Sequence, residues 1–242
     1  MDILDQLRKI VGRTHVLNGD DAERYSADWL KQYHWTPLAV VRPRSTDEVA
    51  RVVAFADQNK LSIVPMGGNT GLTGATRAQD CIVISLERMS KIRKIRKDAK
   101  IAIVEAGAIL SNVHSALDDH HLVFPLTFGA KGSATIGGVI GTNAGGSNVL
   151  RYGNTRDLIL GLEVVTPSGQ VMDLMSELHK DNSGYNLRNL IIGAEGSLGI
   201  VTAAVLKLAT KPRAYATAMV AVRSLADALR LLNDLQANTG GA

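Results

Sequence analysis

Cysteine is nearly absent from this sequence: Cys81 is the only one in 242 residues. One thiol closes no internal disulfide and builds no multi-cysteine metal or iron–sulfur site. The histidines do not compensate. His114, His120 and His121 lack metal-ligand spacing and read as surface residues, so no metal is expected. Cys81 lies in the apolar run CIVIS and reads as a small buried residue. Aromatic residues make up 4% against 45% hydrophobic, so the core must be aliphatic. No stretch reaches the roughly 18 apolar residues of a membrane-crossing helix. The opening MDILDQLRKIVG lacks the basic-then-apolar order of a signal peptide, and a reducing cytoplasm is the expected setting. Charge of one sign is also scarce. A formal net charge of +4 is too mild to mark a nucleic-acid binder. The one basic run, KIRKIRK at 91–97, has no aromatic platform and reads as a solvated strand edge.

Two nucleotide signatures are missing as well. No G-x-x-x-x-G-K-[ST] is present, which excludes a P-loop NTPase. No two glycines are separated by a single residue, so the G-x-G-x-x-G fingerprint of a Rossmann site cannot occur.

Glycine is nevertheless concentrated. Between Pro125 and Arg151 the chain reads PLTFGAKGSATIGGVIGTNAGGSNVLR, with glycines at 129, 132, 137, 138, 141, 145 and 146. Each glycine costs about 0.5–1 kcal/mol relative to alanine in a regular element, so this density does not suit ordinary helix or strand. A flexible linker would lack the interspersed Ile136, Val139, Ile140, Val149 and Leu150. The stretch reads as ordered backbone laid against a large ligand, with Ser133, Thr135, Thr142 and Asn143 supplying hydrogen bonds.

The flanking chain falls into a pattern. An apolar stripe at Ile3, Leu4, Leu7, Ile10 and Val11 predicts a first helix. Residues 18–40 read as a surface arm pinned by Tyr25, Trp29, Tyr33 and Trp35. Leu38–Val41 reads as a strand, and Ser45 with Glu48 forms a capping box before a helix burying Val49, Val52, Val53 and Ala56. The next strand, Ser62–Pro65, runs into GGNTGLTG at 67–74. This strand–helix–strand unit predicts a parallel pair with a ligand loop at a strand's carboxyl end. Cys81–Ser85 reads as a further strand and Ile109–His121 as a helix. Apolar runs 161–166 and 170–174, joined by Thr166-Pro167-Ser168-Gly169, predict a hairpin. Ser197–Leu208 predicts another strand, after a third glycine loop at 193–199. The expectation is α+β: a βαβ lobe over about 37–120 and an antiparallel lobe over about 121–214, with glycine loops facing each other between them. Residues 1–36 form the helix and arm. Thr217–Val222 reads as a strand and Ser224 as the cap of a helix carrying Leu225, Leu229, Leu232 and Leu235. One strand and one helix close no core, so residues 215–242 are expected to open a domain that the sequence does not complete.

RPRSTDEV, PMGGNTGLTG, PLTFGAKGSATIGG, TNAGG, RYGNTRDLILGLEVVTPSG and KDNSGYNLRNLIIGAEGSLGIVT, in that order, resemble the vanillyl-alcohol oxidase/p-cresol methylhydroxylase (PCMH) type of FAD-binding domain. The resemblance runs over about residues 37–214 and is strongest to the branch oxidising D-lactate, glycolate and D-2-hydroxyglutarate. It implies a two-lobed, non-Rossmann fold. It implies that Met66, Gly67, Gly68, Asn69, Thr70, Gly71 and Leu72 offer main-chain amides to the FAD diphosphate. Pro125, Leu126, Gly129, Gly132, Ser133, Ile136, Gly137 and Gly138 would pass along the diphosphate and isoalloxazine, Asn143, Ala144, Gly145 and Gly146 would continue that wall, and Ile200 would hold the adenosine. The implied chemistry is hydride transfer from a 2-hydroxy acid to flavin N5, with an electron acceptor that the sequence does not name. FAD is expected to be non-covalent, because Asn69 stands where a tethering histidine would and Pro125–Arg151 contains no His, Cys or Tyr. The family's cap-domain arginine and histidines have no counterpart, so no catalytic residue is assigned. A non-catalytic FAD-binding subunit or truncated product needing a partner chain, a homodimer, a nicotinamide-linked reductase on the same fold, and a nucleic-acid module built on 91–97 remain as alternatives.

Overall fold

The fold is built from two sheets made one after the other, and a computed structural model describes residues 2–239 of it. Helix α1 (Ile3–Val11) precedes a sheet of β1 (Val16–Leu17), β2 (Ala39–Val41), β3 (Ile63–Met66) and β4 (Ile82–Ser85), in the order β1-β2-β4-β3. Helix α2 (Thr46–Gln58) links β2 to β3. Its start is chemically fixed: Ser45 Oγ accepts from the Glu48 amide at 3.2 Å, while the Glu48 carboxylate reaches back to the Arg44 amide at 2.9 Å. Strands β2 and β3 both run parallel to β4, with Ala39 and Ile63 each opposite Ile82. The expected parallel pair is therefore not adjacent. The crossover leaves a space one strand wide, and β4, buried at every position, fills it. The most apolar strand takes the place covered on both faces. Cys81 lies just before β4 and is half-buried, not buried, with its Sγ on the Gln79 carbonyl at 3.2 Å.

The second sheet is antiparallel throughout. It contains β5 (Ile92–Arg96), β6 (Ile101–Glu105), β8 (Ile159–Val165), β9 (Val171–Leu174) and β10 (Ile200–Lys207), in the order β5-β6-β10-β8-β9. Short strands β7 (Leu122–Val123) and β11 (Ala209–Thr210) form a separate ladder. The change of lobe falls between β4 and β5, not near residue 120. The alternating run after Ile92 turns back on itself as a hairpin and joins β10 through β6. As expected, KIRKIRK occupies an edge strand. Lys91, Lys94 and Lys97 are exposed there, whereas Arg93 and Arg96 are ion-paired with Glu105, Glu163 and Glu177.

Helices α3 (Leu110–Asp118) and α4 (Ile136–Gly141) cover this sheet, burying Leu110, Val113, Leu117, Ile136 and Ile140 against Val104, Leu162 and Ala204. Helices α5 (Val149–Tyr152) and α6 (Leu187–Ile191) are single turns near the cleft between the lobes. His114 is more than a surface residue: its half-buried Nε2 meets the Phe124 carbonyl at 2.9 Å and ties α3 to the chain after β7. Burial lowers its pKa, against the effect of that hydrogen bond.

Two features join the lobes. The turn at Thr166–Gly169 closes through Gly169 N to Thr166 O at 2.9 Å, with Gly169 at φ +82°. A Cβ there would lie 2.7 Å from the Ala50 carbonyl of α2, so glycine is needed for both the turn and the docking. Nearby, Glu163 on β8 accepts from Thr46 Oγ1 of α2 at 2.6 Å, Thr202 Oγ1 of β10 at 2.9 Å and Arg93 of β5 at 3.2 Å.

At the carboxyl end the expected strand is not formed. Thr217–Val222 is irregular and exposed, with no neighbouring edge to complete its hydrogen bonds. Helix α7 (Leu225–Thr239) does form, and Ser224 Oγ accepts from the Asp227 amide at 3.2 Å. None of its residues is buried. The last three residues lie outside the described range.

Burial pushes the Glu163 carboxyl up, but hydrogen bonds from Thr46, Arg93 and Thr202 together outweigh it and hold the pKa below the usual glutamate value. A depressed folded-state pKa stabilises above the unfolded value and ceases to do so as pH falls through the folded value. Glu163→Gln is therefore expected to cost about 1–3 kcal/mol at pH 7. Urea titrations should show that cost shrinking below about pH 4.3; a deficit equal at pH 7 and pH 3 would mean that the charge is irrelevant.

Candidate functional site

Between the lobes lies a cleft of about 580 Å³, within the size range of cofactor sites. Three glycine loops wall it, as the sequence predicts: 67–76 after β3, 134–145 around α4, and 195–201 leading into β10.

The first loop leaves the carboxyl end of a parallel strand, where the backbone turns out of the ladder. Among the described residues, the amides of Gly67, Gly68, Asn69, Thr70, Gly71 and Leu72 donate to no protein acceptor. Consecutive free amides of this kind form an anion-binding concavity.

The opposite wall behaves differently. Thr135 caps α4 by accepting from the Gly138 amide at 3.3 Å. The Ile136 and Gly137 amides donate to the carbonyls of Ala108 at 2.9 Å and Ala106 at 2.6 Å. The Ile136 and Gly137 amides at the start of α4 are thus already taken by the protein's own carbonyls. The first loop holds the longest run of free donors, with the Gly145 and Gly196 amides of the other walls also free among the described residues. Asn143 sits at φ +46° and is a clamp: its Oδ1 accepts from the Arg156 amide at 2.9 Å, while the Arg156 guanidinium holds the carbonyls of Asn189 and Ile192.

The glycines divide into two kinds. A Cβ on Gly68 would lie 2.0 Å from the Ser133 carbonyl oxygen, and one on Gly67 would lie 2.5 Å from Thr135 Oγ1. Gly146 is similarly closed by the Thr127 carbonyl at 2.3 Å, and Gly137 by Ala106 at 3.0 Å. These serve contact between protein segments. Gly71, Gly129 and Gly132 have nothing within 4 Å of that position.

Of the residues singled out in the sequence, Met66 through Leu72, Gly137, Gly138, Asn143, Ala144, Gly145 and Ile200 line the cleft. Ser133 opens instead onto an adjoining cavity of about 370 Å³, shared with Arg24, Tyr25, Glu87 and Asn112. Leu126 and Ile136 place their side chains in the core. Pro125, Gly129, Gly132 and Gly146 fall outside both linings. Thr135 and Thr142, marked in the sequence as hydrogen-bonding residues, line the cleft too. Residues not marked as site residues, among them Thr76, Phe128, Ile191 and Glu195, complete the wall. Phe128 and Glu195 lie inside glycine-rich stretches already marked, so proximity to those loops was the available signal. Among the described residues, Glu195 is the only ionisable one in the lining. Among the described residues no group of three or more His, Cys, Asp or Glu is placed to hold a metal. Such a cleft binds and orients through backbone amides and shape, with little acid–base chemistry of its own.

The comparisons with known proteins agree with this geometry. Residues 37–175 match the FAD binding domain family. The chain is 46% identical over 193 residues to a D-2-hydroxyglutarate dehydrogenase of Xanthomonas citri, covering 79% of this chain and 41% of that protein. It is 39% identical over 215 residues to the D-2-hydroxyglutarate–pyruvate transhydrogenase of Saccharomyces cerevisiae, covering 87% and 43%. The mitochondrial D-2-hydroxyglutarate dehydrogenase of Arabidopsis thaliana is 37% identical over 237 residues, covering 96% and 42%. The chain therefore spans less than half the length of these relatives. A solved structure of alkyldihydroxyacetonephosphate synthase superposes with a TM-score of 0.80 at 22% identity, covering 98% of this chain and 49% of that one, and shares the fold. With its loops, cleft and motif order in agreement, the chain belongs to the FAD binding domain family, and FAD is its cofactor.

Proposed function

We propose that this chain is the FAD-binding part of a flavin-dependent dehydrogenase acting on a D-2-hydroxy acid of the D-2-hydroxyglutarate, D-lactate or glycolate class. The observation that carries the reading is the run of unpartnered amides from Gly67 to Leu72 facing a wall of small residues across a cofactor-sized cleft. The names of the relatives support the substrate class.

When bound, FAD supplies the two-electron acceptor for the hydride on the substrate's Cα. The chain's residues bind and orient it. The 67–72 amides meet the diphosphate, Gly137, Gly138 and the Asn143–Gly145 segment form the flat wall, and Ile200 packs the adenosine. Attachment is non-covalent. Asn69 carries an amide without nucleophilic character, and that amide is already engaged with the Ala27 carbonyl at 2.8 Å and the Thr76 hydroxyl at 2.7 Å. The acid–base and carboxylate-binding groups of turnover are supplied from outside residues 2–239, by further sequence or a partner subunit, because Glu195 alone lines the cleft with a titratable group. The other partners in this reading are the hydroxy acid and an electron acceptor.

Three measurements test it. Purified protein should carry flavin absorbance, and acid precipitation should leave a yellow supernatant over a colourless pellet; a fluorescent protein band on a denaturing gel would refute non-covalent binding. Gly68→Ala should destabilise the apo-protein by about 1–3 kcal/mol through overpacking. Gly71→Ala, with open space around it, should leave the apo-protein melt unchanged yet weaken FAD binding about tenfold or more by crowding the diphosphate. Equal behaviour of the two variants would contradict the division of the glycines. Finally, anaerobic stopped-flow mixing of the loaded chain with D-2-hydroxyglutarate, D-lactate or glycolate should give no fast flavin bleaching, since orientation of reactants alone is worth about 7–11 kcal/mol. Rapid reduction would mean that these residues suffice for turnover.

A further inference from the structure

The amino-terminal arm lies entirely before residue 37, where the family match begins. Its fold is nevertheless specific. After a 3-10 turn at Gly19–Tyr25, the chain reverses tightly, with Ala27 bridged to His34 and Lys31 at φ +55°. The buried Asp28 closes this reversal by accepting from the Tyr33 amide at 2.8 Å. Of the four arm aromatics, Tyr25 and Trp35 are buried and Trp29 and Tyr33 exposed, so two of them pin the arm. Tyr25 and Trp35 pack with Met66, Ala78 and Val83, and thereby grip both ends of the first glycine loop.

The tip of the arm touches the middle of that loop at two points. The Asn69 amide donates to the Ala27 carbonyl at 2.8 Å and accepts from Thr76 Oγ1 at 2.7 Å. The Tyr33 ring stands where a Cβ on Gly74 would be, 2.9 Å from that position. Asn69 itself is held at φ +51°, in the left-handed region that glycine and, after it, asparagine enter most readily. Inside the loop only the Thr76 hydroxyl meets the Asn69 side chain; among the described residues, Thr70 to Thr73 make no hydrogen bond to protein. Besides that bond, the contacts that hold the loop's middle come from the arm, at Ala27 and Tyr33.

We infer that the arm is a template that fixes the 67–76 loop before the cofactor arrives, with Asn69 and Tyr33 as positioning residues for the diphosphate. The inference rests on the reading that the 67–72 amides hold that diphosphate. A loop ordered in advance loses less entropy on binding, so the arm contributes to affinity without touching the ligand.

The test uses the apo-protein with three ligands: FAD, ADP, which keeps the diphosphate, and riboflavin, which lacks it. Wild-type protein should bind ADP in competition with FAD. Tyr33→Ala and Asn69→Gly should each weaken FAD and ADP about tenfold and leave riboflavin binding unchanged, and Tyr33→Phe should restore wild-type values. Asn69→Gly keeps the positive φ accessible, removes the side-chain bonds to Ala27 and Thr76 and frees the backbone at the middle of the loop. Tyr33 is 48% exposed, so its loss should leave the apo-protein melting temperature unchanged. Unaltered ADP and FAD binding in both variants would overturn the inference, as would an equal loss for riboflavin, which would signal general loosening. Failure of wild-type ADP to compete would instead remove the diphosphate reading beneath it.

Discussion

Gly67 and Gly68 cross Ser133 to Gly138 at close quarters, Gly68 against the Ser133 carbonyl and Gly67 against the Thr135 hydroxyl and the Gly138 backbone, and the geometry of the cleft follows from that contact. It brings the carboxyl end of β3 to the start of α4 and sets how closely two loops from different lobes approach. It also requires glycine on the first loop, because any Cβ at Gly68 would enter the Ser133 carbonyl. The amino terminus of α4 is answered by Ala106 and Ala108, so the crossing is completed within the protein. The first loop, by contrast, presents six successive amides that have no protein acceptor among the described residues.

The lobes are held a second time at the Glu163 cluster and the Gly169 turn, both resting on α2. Two separate attachments make a frame, and the loops mounted on it can then differ in how they are held. The 134–145 wall is tied at Asn143, Ala144 and Gly138, whereas the 67–76 loop depends on its neighbour for shape. That division suits a site in which one wall supplies a surface and the other supplies charge complementarity.

Much of this was legible in the sequence. Capping at Ser45, the turn at Thr166–Gly169 and the apolar faces of α1 and α2 are local signals, and each lies where the pattern puts it. The three glycine loops were legible as a group. The reason for each glycine was not, because Gly68 and Gly71 look alike in sequence and differ only in what stands beside them. Sheet order was equally hidden: that β4 lies between β2 and β3, and that β5 and β6 join the second sheet, depends on pairings between distant residues. Thr217–Val222 has strand composition but no strand beside it, so propensity was overridden by the lack of a partner. The link from Asn69 to Ala27 spans 42 positions and carries no local signature.

The lysines in and beside β5 bear on whether another strand can pair at the free edge of its sheet. An outermost strand presents unpaired amides and carbonyls to any passing strand of another chain. Here Lys91, Lys94 and Lys97 stand exposed along that margin, while the neighbouring arginines are neutralised by glutamates. An incoming copy meets like charge before its backbone can pair. That repulsion reaches only about 8–10 Å at moderate ionic strength and about 3 Å at 1 M salt. Pairing at this margin is therefore opposed less as the electrolyte concentration rises.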